Sequence, residues 1–352
     1  MVSLQKANGM KLFQPGVDSS AMTLSDYAVM SNSPLVMAIT MSLIQNGSIL
    51  ADIPFITRPT MLVNGVRWQD NLPSPSWQKA NTDPTVTTGK PTAYQEQAYI
   101  VRNAIDTDLV YLQDINRIGD TRASRLNAYL RGLSYDYNDK FINNDHLSGE
   151  DDCFVGMRYR LDNYATYGLV SEMKIDAGGV DMTQSGMTSA SANTMVETMQ
   201  QVLDYMGLPD GDGVVFYCND TLRRRLDRAV RVLGAGAGWN TVVDAFGRSI
   251  TKFKNARIVD IGRKADQSTR IILNTETSAG AAGASTYTSM YAVSYGEDRL
   301  VGWQFAPLGE SIQDIGMIGN GGAINRIMIN WVNGILPQHT RCISRIYDIK
   351  IS

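Results

Sequence analysis

Histidine is almost missing from this 352-residue chain, which holds only His146 and His339. Neither sits in an HExxH or HxH pattern, so a histidine metal site or general base has no sequence support, and structural roles are expected. Cysteine is scarce and odd in number, with Cys153, Cys218 and Cys342 far apart. No disulfide framework or CxxC metal clip can be written from them, and thiols in a reducing compartment are expected. Charge is also sparse: Asp, Glu, Lys and Arg make up 19% of the chain, below the roughly 25% of ordinary soluble domains. The balance of 32 basic against 35 acidic residues offers no cationic excess for coating nucleic acid. The longest apolar stretch, residues 35–44, contains Thr40 and Ser42 and is half the roughly 20 residues of a membrane span. Residues 1–6 lack a basic region followed by an apolar run, so a signal peptide is not expected. These absences predict a soluble cytosolic chain with no membrane partner.

Reaction motifs are equally thin. Thr88-Gly89-Lys90 is a fragment of a phosphate loop without its first glycine, and Pro91 blocks the helix that should follow. Gly234-Ala235-Gly236-Ala237-Gly238 follows a predicted helix, whereas a dinucleotide loop precedes one. Residues 319–322 read as a turn. Asp151 and Asp152 lie in a polar stretch that neither supports nor excludes acid–base or metal use. No cofactor and no catalytic residue is indicated.

What is present is apolar material, 43% of the chain, enough for about two compact units. Disorder as the main state is excluded. With so little charge, much of the surface is suited to meeting protein. Residues 1–33 read as an extended arm, and Ser33-Pro34 as a helix start continued by Leu35, Ile39 and Leu43 up to Gly47.

Residues 51–100 change in texture. Asn64-Gly65 is a strong two-residue hairpin signal. Such a turn pairs Val63 with Val66 and Met61 with Trp68 on one face, leaving Thr60, Leu62, Arg67 and Gln69 on the other. A polar loop with four prolines and Trp77 follows, then a returning strand over residues 92–101. This excursion has too few apolar side chains to close a core, and a two-stranded ribbon alone is barely stable. Its tryptophans must be covered by the rest of the chain or by a neighbouring subunit.

Ile115, Ile118, Leu126, Leu130, Leu133, Tyr137 and Phe141 form a helical stripe, and residues 120–143 would span about 36 Å. Further on, Met195, Met199, Val202, Leu203 and Met206 predict a helix over residues 193–206, stopped by Gly207. Residues 214–217 read as a buried strand. Asn219 then caps a helix lined by Leu222, Leu226, Ala229, Val230 and Leu233. Strands are predicted over residues 257–261, 270–274, 287–295, 300–306, 324–332 and 341–351, the last with alternating Ile343, Tyr347, Ile349 and Ile351. Residues 278–285 read as a flexible surface loop.

The helix after Asn219 carries Arg223, Arg224, Arg225, Arg228 and Arg231. A DNA contact is one reading; a solvated face with ion pairs, within or between subunits, is favoured by the acidic chain. Methionine, 17 residues, suits a core that repacks between environments.

The order of elements, an arm, a proline-bearing ribbon, one very long helix, a mixed α/β unit and a sheet-forming C-terminus, resembles the tailed-bacteriophage major capsid protein family. The resemblance implies an α+β fold with residues 1–46 as N-terminal arm and 47–101 as extended loop. Residues 102–185 would form the peripheral domain with a spine helix over 115–144. Residues 186–320 would form the axial domain, and 321–352 strands returning to the peripheral domain. It implies self-assembly as hexamers and pentamers into an icosahedral head around double-stranded DNA bound without sequence specificity. A scaffolding protein, portal and decoration protein are the implied partners. No charged helical extension precedes the arm, which suggests a separate scaffold or none. Candidate inter-subunit contacts are Trp68, Trp77, Met61, Arg67, Arg223, Arg224, Arg225 and Arg228. Some family members cross-link a loop lysine to an asparagine; Lys79 or Lys90 with Asn330 or Asn333 would be the partners here, though no spacing demands it. A tail- or portal-associated structural protein, a cytosolic α/β enzyme and a nucleic-acid module stay open as alternatives.

Overall fold

A computed structural model describes residues 22–23, 48–67, 73–83, 86, 89, 91–110, 121–145, 152–234, 239–243, 249–277, 280, 283, 285–308, 310–318 and 322–351. The chain begins with β1 (Met22–Thr23), α1 (Ser48–Asp52), β2 (Pro54–Thr57), β3 (Leu62–Arg67), β4 (Thr92–Gln97) and β5 (Tyr99–Asp108). The long helix α2 (Thr121–Asn143) and the short α3 (Met157–Asp162) precede β6 (Lys174–Asp181), α4 (Ser189–Met206), β7 (Val214–Cys218) and α5 (Asp220–Leu233). Then follow β8 (Trp239–Val243), β9 (Ser249–Phe253), β10 (Ala256–Asp260) and β11 (Tyr287–Ser294). The last elements are β12 (Leu300–Gln304), β13 (Ile312–Ile318), β14 (Ile324–Pro337) and β15 (Ile343–Lys350).

The strands form two mixed sheets and a separate ribbon. One sheet runs β1-β2-β12-β14-β13, with β5 on the other side of β14; the other runs β6-β15-β11-β7-β10-β9-β8. The ribbon is β3 paired with β4. Helix α2 buries Leu126, Leu130, Leu133, Tyr137 and Phe141, the stripe expected from spacing. Tyr137 meets Phe154 at 5.3 Å and Trp331 of β14 at 5.9 Å, joining the helix to the first sheet through aromatic contacts. In α4, Thr188 and Ser191 form a reciprocal capping box, and left-handed Gly207 closes the helix. Met195, Met199, Val202, Leu203 and Met206 are buried as expected. Strand β7 is buried throughout. Asn219 accepts from the Leu222 amide at 2.8 Å, the expected cap of α5.

Several expectations are corrected. Asn64-Gly65 is not a turn: β3 runs straight through it, with Asn64 opposite Gln95 and Gly65 opposite Tyr94. Gly65 is there for close approach, since a Cβ would lie 2.4 Å from the Tyr94 ring. Val63 therefore shares its face with Gly65 and Arg67, not with Val66. The returning strand over residues 92–101 divides into β4 and β5 at Ala98, whose amide donates to Met61 O. Residues 270–274 form no strand beyond a bridge from Arg270 to Arg263. Helix α4 starts four residues earlier than expected, and β14 extends to Pro337. Left-handed Asp348 breaks the alternation of β15. Gly280, within the expected flexible loop, is buried and accepts hydrogen bonds from Arg158 and Arg345. Strands from either side of residues 186 and 321 share sheets, β12 pairing with β14 and β15 with both β6 and β11, an observation that leaves the expected segment bounds as they stand. The helix expected from Ser33, together with Ile115, Ile118 and His146, lies outside the described residues, as does most of the arm.

Candidate assembly surface

The ribbon is held to its own chain by two buried arginines, Arg67 at the end of β3 that pairs with Thr92 and Arg160 against Glu96. Arg67 donates to Pro337 O at 2.5 and 3.2 Å, to Tyr167 O at 2.7 Å and to Gly168 O at 3.1 Å. Its guanidinium also stacks 4.4 Å from the Tyr94 ring centre. The sequence makes Arg67 a candidate contact to another copy, on the face it would share with Leu62; it is buried within its own chain instead. The reason is parity: without the turn, Arg67 falls on the inward face of β3. Arg160, on α3, forks onto Glu96 of β4 at 2.5 and 2.8 Å. Burial opposes the Arg160 charge, and the Glu96 carboxylate outweighs it, leaving the guanidinium above its ordinary pKa. Burial lowers the pKa of Arg67, where carbonyls replace a carboxylate as partners. Val63, Ala98, Trp303 and Leu336 form a small apolar cluster beneath the ribbon.

The other face of β3 and the described residues between β3 and β4 leave apolar groups in water. Trp77 is 98% exposed, Val86 86% and Val66 57%, and Met61 and Leu62 are also exposed. Single exposed apolar residues are ordinary; several within one stretch of chain mark an interaction surface. Trp68 and Lys90 lie outside the described residues. Lys79 is exposed. Asn333 is buried, whereas exposed Asn330 accepts from Arg102 at 3.3 Å.

The arginines of α5 are distributed around its solvent side. Arg224 and Arg231 are exposed, while Arg223, Arg225 and Arg228 are partly covered. Arg224 reaches Asp220 at 3.4 Å, but Asp220 is held mainly by Arg270 at 2.5 and 3.2 Å. The hydrogen bond from Arg270 is the main cause that lowers the Asp220 carboxyl below its ordinary value.

Among the described residues no group of three or more His, Cys, Asp or Glu could hold a metal ion. His339 Nδ1 accepts from the Arg341 amide at 3.0 Å. Burial pushes the Cys342 thiol up to about 11 and Cys218 higher still, so neither is a poised nucleophile. Two further buried networks were illegible in the sequence. Asp52 pairs with Arg257 and accepts from Tyr217 at 2.8 Å, and Tyr217 meets Tyr295 at 2.8 Å. Burial raises the Asp52 carboxyl despite Arg257. Arg345 binds Ser289 at 3.1 Å and contacts Glu276, Asp162 and Gly280 O. These groups lie up to 205 residues apart in the chain, so no spacing could have revealed them. No helix among the described residues is long and apolar enough to cross a membrane.

Solved structures share this arrangement over most of the chain. The holo-SrpI encapsulin complex from Synechococcus elongatus PCC 7942 has a TM-score of 0.53 and 13% identity, covering 99% of this chain and 97% of its own. The capsid of an empty GTA particle has a TM-score of 0.52 and 12% identity, covering 88% and 89%. The satellite phage P4 procapsid has a TM-score of 0.51 and 10% identity, covering 90% and 99%. No protein-family model matches the chain, and no curated protein matches it in sequence. The two sheets, the long helix and the separate two-stranded ribbon are thus arranged in a capsid-shell fold. Within that class the chain has the α+β fold of tailed-phage major capsid proteins.

Proposed function

We propose that the chain is a major capsid protein whose copies associate as hexamers and pentamers and close into an icosahedral head around double-stranded DNA. The observation that carries this reading is Trp77, an indole left 98% exposed in the stretch between the anchored strands β3 and β4. Burying about 100 Å² of such a side chain on a neighbour yields about 2.5 kcal/mol before ordering costs. Repeated over a closed head-to-tail ring, modest contacts of this size add up. In this reading residues 47–101 lie over the adjacent copy, residues 115–144 form the spine, and residues 186–320 surround the ring axis. Trp68, Trp77 and Met61 are contact residues. Scaffolding, portal and decoration proteins are the further partners, the virion head is its location, and no enzymatic step is assigned.

Sedimentation and negative-stain microscopy of the purified chain test the reading. Closed shells, or rings of six and five, are expected. Tubes or one large ring would point to a tail or portal component, and a compact monomer or dimer at all concentrations would sink it. A second reading, a protein shell that encloses something other than viral DNA, is favoured by the similarity to an encapsulin over 99% of the chain. The ultraviolet absorbance ratio of particles isolated from the native source separates the two, since only a DNA-filled head absorbs chiefly as nucleic acid.

A further inference from the structure

Helices α4 and α5 lie side by side on the seven-stranded sheet, α4 against the β6 and β15 end and α5 against β10. Their exposed charges are opposite. In α4, Glu197, Gln201 and Asp204 are exposed at steps of four and three, and the helix contains no lysine or arginine. In α5, Arg224, Arg228 and Arg231 repeat the same steps, with Arg224 and Arg231 exposed. The α5 acids do little to neutralise them: Asp220 is committed to Arg270, leaving Asp227. Each stripe covers about 10 Å of helix. The two neighbouring helices therefore carry exposed stripes of opposite charge.

We infer that the Arg224, Arg228 and Arg231 stripe of one copy contacts the Glu197 and Asp204 stripe of the next copy in the ring. This contact presupposes the ring-forming reading above. A head-to-tail repeat brings two different patches of the same chain together, so unlike charges on two separate helices can complement each other. A two-fold contact through α5 would instead set arginine on arginine, which the same charges disfavour. Arginine also suits the role, because its long stem reaches across a boundary while its planar fork matches a carboxylate.

Charge exchange in the full-length chain tests the contact. Arg224→Glu with Arg228→Glu should lower the yield of sedimenting rings or shells by about tenfold or more, as like charges then face each other. Glu197→Arg with Asp204→Arg should do the same. All four substitutions in one chain should restore most of the yield, because each copy again presents unlike charges to its neighbours. Circular dichroism confirms that each variant is folded. If wild type forms shells and either reversal alone leaves the yield unchanged, the contact is overturned while the shell reading stands. Failure of the fourfold variant to exceed the two parents overturns it as well. Loss of duplex-DNA retention on reversal, with assembly unchanged, would reassign the arginines to nucleic acid. A wild-type chain that never forms rings overturns the shell reading, and this contact with it.

Discussion

Arg67 spends its guanidinium on three backbone carbonyls from two distant segments, Tyr167 and Gly168 on one side and Pro337 on the other. Arg67→Met keeps the bulk and removes the donors, leaving buried acceptors unpaired at about 1–3 kcal/mol each before relaxation. A loss of about 2–4 kcal/mol in urea unfolding is expected, and an unchanged midpoint would contradict the clamp. Asp220 makes a pH-dependent contribution. Its carboxyl titrates lower in the folded chain than the ordinary 3.8, chiefly because Arg270 donates to it. A depressed carboxylate stabilises the fold above its unfolded value and loses that contribution as pH falls through the folded value. Asp220→Asn should therefore flatten the fall of the urea midpoint between about pH 5 and pH 3. An identical slope in both proteins would show that the pair is silent.

Among the elements, α2 shows how far periodicity reaches. Its buried stripe at steps of three and four was legible because a helix must turn its apolar side chains to one face. Phe141 is fully buried in that stripe. Phe141→Ala should cost about 3–5 kcal/mol, read as a lower denaturation midpoint at unchanged denaturant slope. A change under about 1 kcal/mol would mean the helix is not part of the main core. Caps were equally legible, since Asn219 and Gly207 act on neighbours within a few residues. Asn64-Gly65 misled for a related reason. The pair favours a tight turn, but here glycine is needed because Tyr94 lies across its Cα. A long-range packing demand overrode a local preference.

For the whole molecule, the open question is what covers the ribbon. Trp77→Ala removes an indole that touches almost nothing in its own chain, so its effect on monomer stability should stay within about 0.5 kcal/mol. The same substitution should reduce the yield of rings or shells in sedimentation. Loss of monomer stability without loss of assembly would place Trp77 in an intramolecular role instead. The clamp through Arg67 and the Arg160–Glu96 pair holds β3 and β4 in place, which lowers the ordering cost of presenting the residues between them to a neighbour.

Local chemistry already written in the chain determined its three long helices α2, α4 and α5, the caps at Asn219 and Gly207, most of its strands and the order of parts that resembles a shell protein. Those features depend on residues a few positions apart. Tertiary structure alone decided which face Arg67 took, which strands share a sheet, and that Glu96 meets Arg160, Asp52 meets Arg257 and Arg345 meets Glu276. Burying a charge is tolerable only beside a partner, and those partners are brought together by folding over separations of 64 to 205 residues.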